Sequence, residues 1–188
     1  MPRIAFPTPE TMDAEQRRVY DKVVSGRRGK IVGPLRAALH SPELADRWQA
    51  LGEFLRHNTS LSPRLSELAI LVTGRACNSP FEWYAHHAEA LKAGIEQTII
   101  DDSLARRMPS GLSEGEMIIV QYASELNRSN SVSDSTYAAA LAHFGARTVV
   151  ELTALVGYYT MVAMTLNAHE IRLPDDVKAA FEWPHKAV

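Results

Sequence analysis

The feature that most constrains the fold is a Ser-Pro step that recurs before apolar segments with helical spacing. It is present at Ser41-Pro42, Ser62-Pro63 and Ser79-Pro80. Proline fixes φ near its helical value and lacks an N–H that the first helical turn would leave unbonded, so each step predicts the start of a helix. Strand patterns are nearly absent from the rest of the chain. The sequence therefore predicts an all-α protein built as a helical bundle.

Further helix starts and stops lie between these steps. Capping boxes, in which two residues three apart bond each other's backbone, are predicted at Asp13 with Gln16 and at Ser113 with Glu116. Glycine often follows the last residue of a helix, and Gly145 separates a predicted helix over 134–143 from a long apolar helix over 147–167. Because no Pro-, Gly- or Ser-rich linker divides the chain, we expect one domain over residues 1–188.

Charge and composition exclude several classes of partner. The net charge is −2 and no segment is rich in Lys and Arg, so we expect neither nucleic acid nor an anionic membrane surface to bind the protein. The first residues, MPRIAFPTPE, contain no apolar run, and the most apolar stretch, over 152–166, is too short to span a bilayer. A cytoplasmic location and a small-molecule substrate are the expectations that remain.

The residues best suited to chemistry are concentrated where two predicted helices meet at a tight turn. Glu82 and His86 are four residues apart on one helix, so their side chains share a face and can form a hydrogen bond. Glu67 lies among apolar residues of the preceding helix, which makes it a candidate proton donor. Ser79 and Glu82 also have a purely structural interpretation, since Ser-x-x-Glu at a helix start forms a capping box.

The segment LSPRLSELAILVTGRACNSPFEWYAHHAEALKAGI resembles the core motif of the carboxymuconolactone decarboxylase superfamily. In the alkylhydroperoxidase branch, this motif has a Glu, a Cys-x-x-Cys pair and a His before an Ala-Gly step. Alignment on that step places Glu67 and His86 on the family Glu and His, and Ser79 and Glu82 on the two cysteines. Serine and carboxylate cannot replace a redox dithiol, so dithiol peroxidase chemistry is excluded.

The single cysteine, Cys77, has no partner for a disulfide, and we interpret it as a small core residue. The motif Glu-Trp-x-x-His, formed by Glu82, Trp83 and His86, resembles the decarboxylase branch instead. For Trp83, packing in the core and binding of substrate both remain open. Glu67, Glu82 and His86 could in principle hold a metal ion, but no His-x-x-x-His pair supports this, and we expect neither a metal nor a cofactor.

The resemblance implies an AhpD-like helical bundle that assembles as a trimer or as a hexamer of trimers. It also implies a cofactor-free lyase similar to 4-carboxymuconolactone decarboxylase, acting by proton transfer on a small carboxylated lactone or a related compound. The implied catalytic residues are His86, Glu82 and Glu67, with Ser79 and Trp83 as substrate-binding residues. The alternative is an alkylhydroperoxidase-related protein that has lost its dithiol and has another proton-transfer or ligand-binding role.

Overall fold

The computed structural model describes residues 2–27 and 29–184; the expected domain over 1–188 therefore includes Met1, Arg28 and 185–188, which lie outside the described residues. Within the described residues the protein is all-helical, as predicted, and contains no strand. Its helices, in chain order, are α1 (Ala14–Ser25), α2 (Pro34–Ala38), α3 (Pro42–His57), α4 (Pro63–Ala76), α5 (Pro80–Lys92), α6 (Gln97–Leu104), α7 (Glu114–Ser129) and α8 (Asp134–Ala168).

The Ser-Pro steps begin helices as predicted, with proline at the first position of α3, α4 and α5. Only Ser62 also caps its helix with its side chain, accepting a hydrogen bond from the backbone N–H of Leu65 at 3.3 Å. The capping boxes predicted for α1 and α7 are both present. The box predicted for Ser79 with Glu82 is wrong, because the Ser79 side chain makes no capping bond and the Glu82 carboxylate pairs with His86.

The turn between α4 and α5 is a Schellman motif, which closes a helix with one residue in the left-handed region. Asn78 takes this conformation, with φ of 48°. The N–H of Ser79 donates to the carbonyl of Gly74 at 2.9 Å, and the N–H of Asn78 donates to the carbonyl of Arg75. Because the backbone of Ser79 completes the end of α4, α5 begins one residue later without a linker. This turn fixes how the two helices lie against each other.

Helix α4 is the centre of the core and packs against α5, α7 and α8. Four consecutive residues in its middle, spanning a full helical turn, are at most 1% exposed: Leu68, Ala69, Ile70 and Leu71. Most of the circumference of this helix is buried, which is typical of a helix at the centre of a core. Every other helix in the bundle is positioned directly or indirectly by this central one.

Helix α8 is two helices that meet at a kink. Gly145 lies at the kink with φ of 78° and ψ of 165°, at the position where the sequence predicts a break. By length and mean hydropathy alone α8 could cross a membrane, but 56% of its most apolar 18-residue window is buried inside the protein. That burial is the behaviour of a helix packed in a protein core.

Candidate active site

Helices α4 and α5 bring two glutamates to opposite sides of one histidine. Glu67 is in the first half of α4, whereas Glu82 and His86 lie one turn apart on α5. The two helices are close at Gly74, where a Cβ atom added to the glycine would lie 3.4 Å from Cγ of Glu82, an ordinary van der Waals distance.

Both ring nitrogens of His86 are engaged by carboxylates. Nδ1 lies 2.7 Å from Oε2 of Glu67, and Nε2 lies 3.1 Å from Oε1 of Glu82. All three residues are buried, with exposed fractions of 9% or less. The sequence predicts the Glu82–His86 pair from its spacing, and the structure adds the shorter contact with Glu67 on the neighbouring helix. Because each nitrogen faces a carboxylate, neither presents a lone pair to a metal ion.

This arrangement keeps His86 protonated. Burial disfavours the charged imidazolium, but the negative charges and hydrogen bonds of Glu67 and Glu82 outweigh it and raise the pKa of His86 to about 9. At neutral pH, His86 is therefore an imidazolium that donates from both nitrogens. One carboxylate charge is left uncompensated when both glutamates are ionised, and the site holds a transferable proton.

Two tyrosines of α8 cover the other faces of the site. The ring of Tyr159 contacts the His86 ring edge-on, with centroids 4.9 Å apart, and Tyr158 packs against Tyr159 in the same manner. Burial raises the pKa of Tyr159 well above its ordinary value, so its hydroxyl is protonated at neutral pH. The Tyr159 ring packs against the imidazole and limits its rotation on the side that faces α8.

A cavity of about 90 Å³ adjoins the pair Glu82 and His86. It has room for about three water molecules at ~30 Å³ each. Residues of four helices and of the segment before α2 line it: Val32, Gly33, Pro34, Leu35, Arg56, Phe81, Glu82, Ala85, His86, Tyr158, Tyr159 and Val162. Its wall is mostly apolar, and its charged residues are Glu82, His86 and Arg56.

That arginine, Arg56 in the last turn of α3, is the functional candidate that sequence reasoning missed. Its guanidinium makes no hydrogen bond or ion pair within residues 2–27 and 29–184, and its nearest electrostatic partners are Glu89 and Tyr159. A partly buried guanidinium at a cavity wall is suited to bind a carboxylate with two parallel hydrogen bonds. Arg56 is about thirty residues from His86 in the sequence and shares no spacing pattern with it.

Three of the five residues predicted for the site do not line this cavity: Glu67 contacts His86 from α4, and Ser79 and Trp83 lie elsewhere. The Oγ atom of Ser79 is fully buried and has no hydrogen-bond partner in the described part of the chain. Trp83 is 3% exposed and packs edge-on against Phe181 with centroids 6.1 Å apart, on a different side of α5 from His86. The structure therefore brings Glu67, Glu82 and His86 together, and it places Ser79 and Trp83 outside the lining of this cavity.

Cys77 is poorly placed for thiol chemistry. Burial raises the pKa of its thiol above the ordinary value, so little thiolate is present at neutral pH. The Sγ atom lies 3.9 Å from Oδ1 of Asn127, at the end of α4 that faces α7. No second cysteine exists in the sequence to resolve an oxidised thiol.

Comparison with known proteins gives one family and several solved structures. Residues 42–125 match the model of the carboxymuconolactone decarboxylase family. A comparison with curated proteins gives no significant match.

An uncharacterized peroxidase-related protein from Ralstonia eutropha, described as an alkylhydroperoxidase AhpD core, superposes with a TM-score of 0.77 at 14% identity, covering 93% of each chain. An uncharacterized peroxidase-related protein from Silicibacter sp. gives 0.76 at 14% identity, covering 93% of this chain and 92% of that one. A protein of unknown function from Agrobacterium tumefaciens, for which a role as an antioxidant defence protein AhpD has been suggested, gives 0.68 at 18% identity, covering 76% and 99%.

At these identities the solved structures show that this chain has the same fold. The family model adds a match in sequence, which extends from α3 into α7. This region contains Arg56, Glu67, Glu82 and His86. The sequence match over residues 42–125 and the AhpD-like fold together support the carboxymuconolactone decarboxylase/AhpD superfamily for this chain.

Proposed function

We propose that this protein is a cofactor-free lyase similar to 4-carboxymuconolactone decarboxylase, acting on a small carboxylated lactone or a related compound. The observation that carries the proposal is a buried imidazolium, His86, held between two carboxylates beside a cavity whose wall contains the unpaired guanidinium of Arg56. A proton donor and an anion-binding group at one cavity are the two requirements of a decarboxylation that ends with protonation of carbon.

The proposed reaction balances with the groups present. The substrate carboxylate binds Arg56 and leaves as carbon dioxide, and its electron pair becomes a dienolate delocalised onto the lactone carbonyl. The substrate replaces Glu82 at Nε2 of His86, whose N–H donates to this anion and then gives its proton to carbon, so that the imidazole becomes neutral. Glu67 keeps the imidazole oriented through Nδ1, and Glu82 stabilises the imidazolium through Nε2 before the substrate binds. A proton from water then restores the imidazolium for the next cycle.

The resting cavity constrains how a substrate enters. Its volume of about 90 Å³ is below the range of about 300–1,000 Å³ that is usual for ligand pockets, so binding has to displace part of the wall. The segment before α2 is the wall with the least helical structure, and Gly33 there has φ of 55° and contacts Phe81 closely. We place the substrate entrance at this segment, where displacement leaves the helices intact.

Replacement of His86 tests the catalytic assignment directly. His86→Gln removes the proton donor and should lower kcat by about 100-fold or more, the usual range for a positioned acid or base. The measurement is carbon dioxide release from 4-carboxymuconolactone by purified protein, with folding checked by circular dichroism. His87→Ala, which changes the adjacent histidine outside the cavity, and Cys77→Ser should both keep the wild-type rate. A folded His86→Gln protein with an unchanged rate would remove His86 from the mechanism.

Replacement of Arg56 separates substrate binding from chemistry. Arg56→Gln removes one charged hydrogen-bonding partner of the substrate carboxylate, worth about 1.5–3 kcal/mol, so KM should rise roughly 10- to 100-fold. The effect on kcat should be smaller, because His86 is retained. Arg47→Gln on the same helix is the matched control, since this exposed arginine pairs with Glu43 and lies outside the cavity. Equal KM values for the Arg56→Gln and Arg47→Gln proteins would contradict the assignment.

The raised pKa of His86 predicts how stability depends on pH. The folded protein binds the extra proton more tightly than the unfolded chain, whose histidine titrates near 6.5. The stabilisation, on the order of 3 kcal/mol, is fully present below about pH 6.5 and is lost as pH rises through about 9. Urea unfolding at several pH values should show this decline in the wild type and not in His86→Gln. An NMR titration of His86 with a midpoint near 6.5 would overturn the prediction.

We also propose that the protein is a homo-oligomer, a trimer or a hexamer of trimers as the family resemblance implies. Support comes from an exposed stripe on α8 with alternating spacings of four and three residues: Val150, Ala154, Gly157, Met161 and Met164. Such spacing presents one seam to another helix, and no atom lies within 4 Å of a Cβ built on Gly157. Burial of this stripe against another copy would remove an apolar surface that monomers seldom expose.

Light scattering after size exclusion tests the assembly. The wild type should have a mass of three or six times 20.8 kDa, and Met164→Glu, which places a charge in the seam, should shift it toward the monomer. Met108→Glu, a change of similar exposure outside α8, is the control and should leave the mass unchanged. A single 20.8 kDa species at all concentrations would defeat the proposal.

A further inference from the structure

A second cavity lies away from His86, on the side of α4 that faces α6 and α7. Its volume is about 480 Å³, within the range of about 300–1,000 Å³ that is usual for ligand pockets. We name it the arginine cavity, and its lining residues are Val72, Arg75, Ala76, Ser103, Arg106, Arg107, Met108, Val120, Gln121, Ser124, Asn127 and Arg128. It shares no residue with the cavity beside His86.

The charged residues that line this cavity are all positive. Four of its lining residues are arginines, and none is an aspartate or a glutamate. Only Arg107 is paired with a carboxylate, that of Asp102 at 2.6 Å. Arg128 makes no hydrogen bond or ion pair with any described residue, and Arg75 and Arg106 form no ion pair there either. Three guanidinium charges around one cavity are therefore uncompensated.

Two of these guanidinium groups are held in place by neutral acceptors. Arg75 donates to Oδ1 of Asn78 at 2.8 Å and to the carbonyl of Leu104 at 2.7 Å. Arg106 donates to the same Oδ1 atom at 2.8 Å and to the carbonyl of Arg75. The Phe181 ring stacks on the Arg75 guanidinium at 4.6 Å. These contacts orient the arginines but leave their positive charge in place.

Like charges held this close cost free energy in the empty protein. Burial, and after it the nearby charge of Arg106, lowers the pKa of Arg75 below its ordinary value. A purely structural arginine cluster would normally include carboxylates that remove this cost. A bound anion would remove it equally well, because oxyanions match the planar fork of a guanidinium.

The other lining residues indicate what kind of molecule the anionic group belongs to. Val72, Ala76, Val120 and Met108 supply an apolar surface, while Gln121, Ser124 and Asn127 supply a polar one. An inorganic ion would leave most of the 480 Å³ unfilled. The volume and the mixed lining fit a small organic molecule that combines an apolar body with a strongly acidic end.

We propose that the arginine cavity is a second ligand site, which binds a small organic oxyanion carrying a phosphate group or two adjacent carboxylates on an apolar body. The acidic oxygens contact Arg75, Arg106 and Arg128, and the apolar body contacts Val72 and Val120. The proposal does not depend on the lyase activity, because the two cavities have no residue in common.

Calorimetric titration with defined probes tests this site. Phenyl phosphate and phthalate represent the two kinds of oxyanion on one apolar ring, and benzyl alcohol is the neutral probe. We expect saturable binding of at least one of the two anions, weakened by raised salt, and no binding of benzyl alcohol. The better anion identifies which acidic group the site prefers.

Matched variants locate the binding. Arg128 is exposed and makes no contact that folding needs, so Arg128→Gln should weaken binding about 10-fold or more in a fully folded protein. Arg17→Gln on α1, another exposed arginine, should bind as the wild type does. His86→Gln should also bind normally, which separates this site from the proposed lyase site.

Three results would overturn the proposal. The first is the absence of saturable binding for both anions. The second is equal affinity of the wild type and the Arg128→Gln protein. The third is loss of binding in the His86→Gln protein, which would place the anion in the other cavity.

Discussion

Removing an imidazole and two carboxylates from water is costly unless each charge meets an opposite charge at hydrogen-bond distance, and His86 meets this condition on both sides. The condition holds only while α4 and α5 keep one relative position. Loss of either carboxylate would leave the imidazolium less stabilised, and loss of the ring would leave two like charges facing each other in a buried space. The packing of α4 against α5 and the protonation of His86 therefore depend on the same contacts.

The turn at Asn78 enforces that position, and it does so for both cavities. On one side, it sets the register that places Glu82 against Gly74 and His86 against Glu67. On the other side, Oδ1 of Asn78 accepts hydrogen bonds from Arg75 and Arg106 and so orients two arginines that line the arginine cavity. Asparagine serves here better than glycine would, because it adopts the left-handed conformation and also supplies an acceptor.

Much of the fold could be predicted from local signals. Proline at the first helical position, capping boxes and Gly145 located most helix ends, because these are interactions between residues close in sequence. The pair of Glu82 and His86 followed from helical spacing, and Glu67 followed from its apolar setting on the preceding helix together with the family motif. Ser79 was misassigned as a cap because the sequence does not show that its N–H belongs to the preceding helix.

Arg56 was missed for a different reason. Its position at the cavity depends on how α3 packs against the other helices, and no short pattern encodes that packing. The arginine cavity has the same origin, since its four arginines come from α4, from the segment that follows α6 and from α7. Trp83 packs against Phe181, almost one hundred residues away, and no short sequence pattern predicts that contact. Long-range packing is thus what sequence reasoning lacked in each case.

The unpaired guanidinium of Arg56 has a consequence for turnover in the proposed reaction. The group that it would bind is the one that leaves as carbon dioxide, so the anchoring contact disappears at the moment of reaction. A product that has lost this charge is held less tightly than the substrate was, and the next anionic molecule competes for Arg56 on favourable terms. In this way a single arginine beside the imidazolium can favour both entry of the substrate and departure of the product, because the reaction itself removes the charge that Arg56 binds.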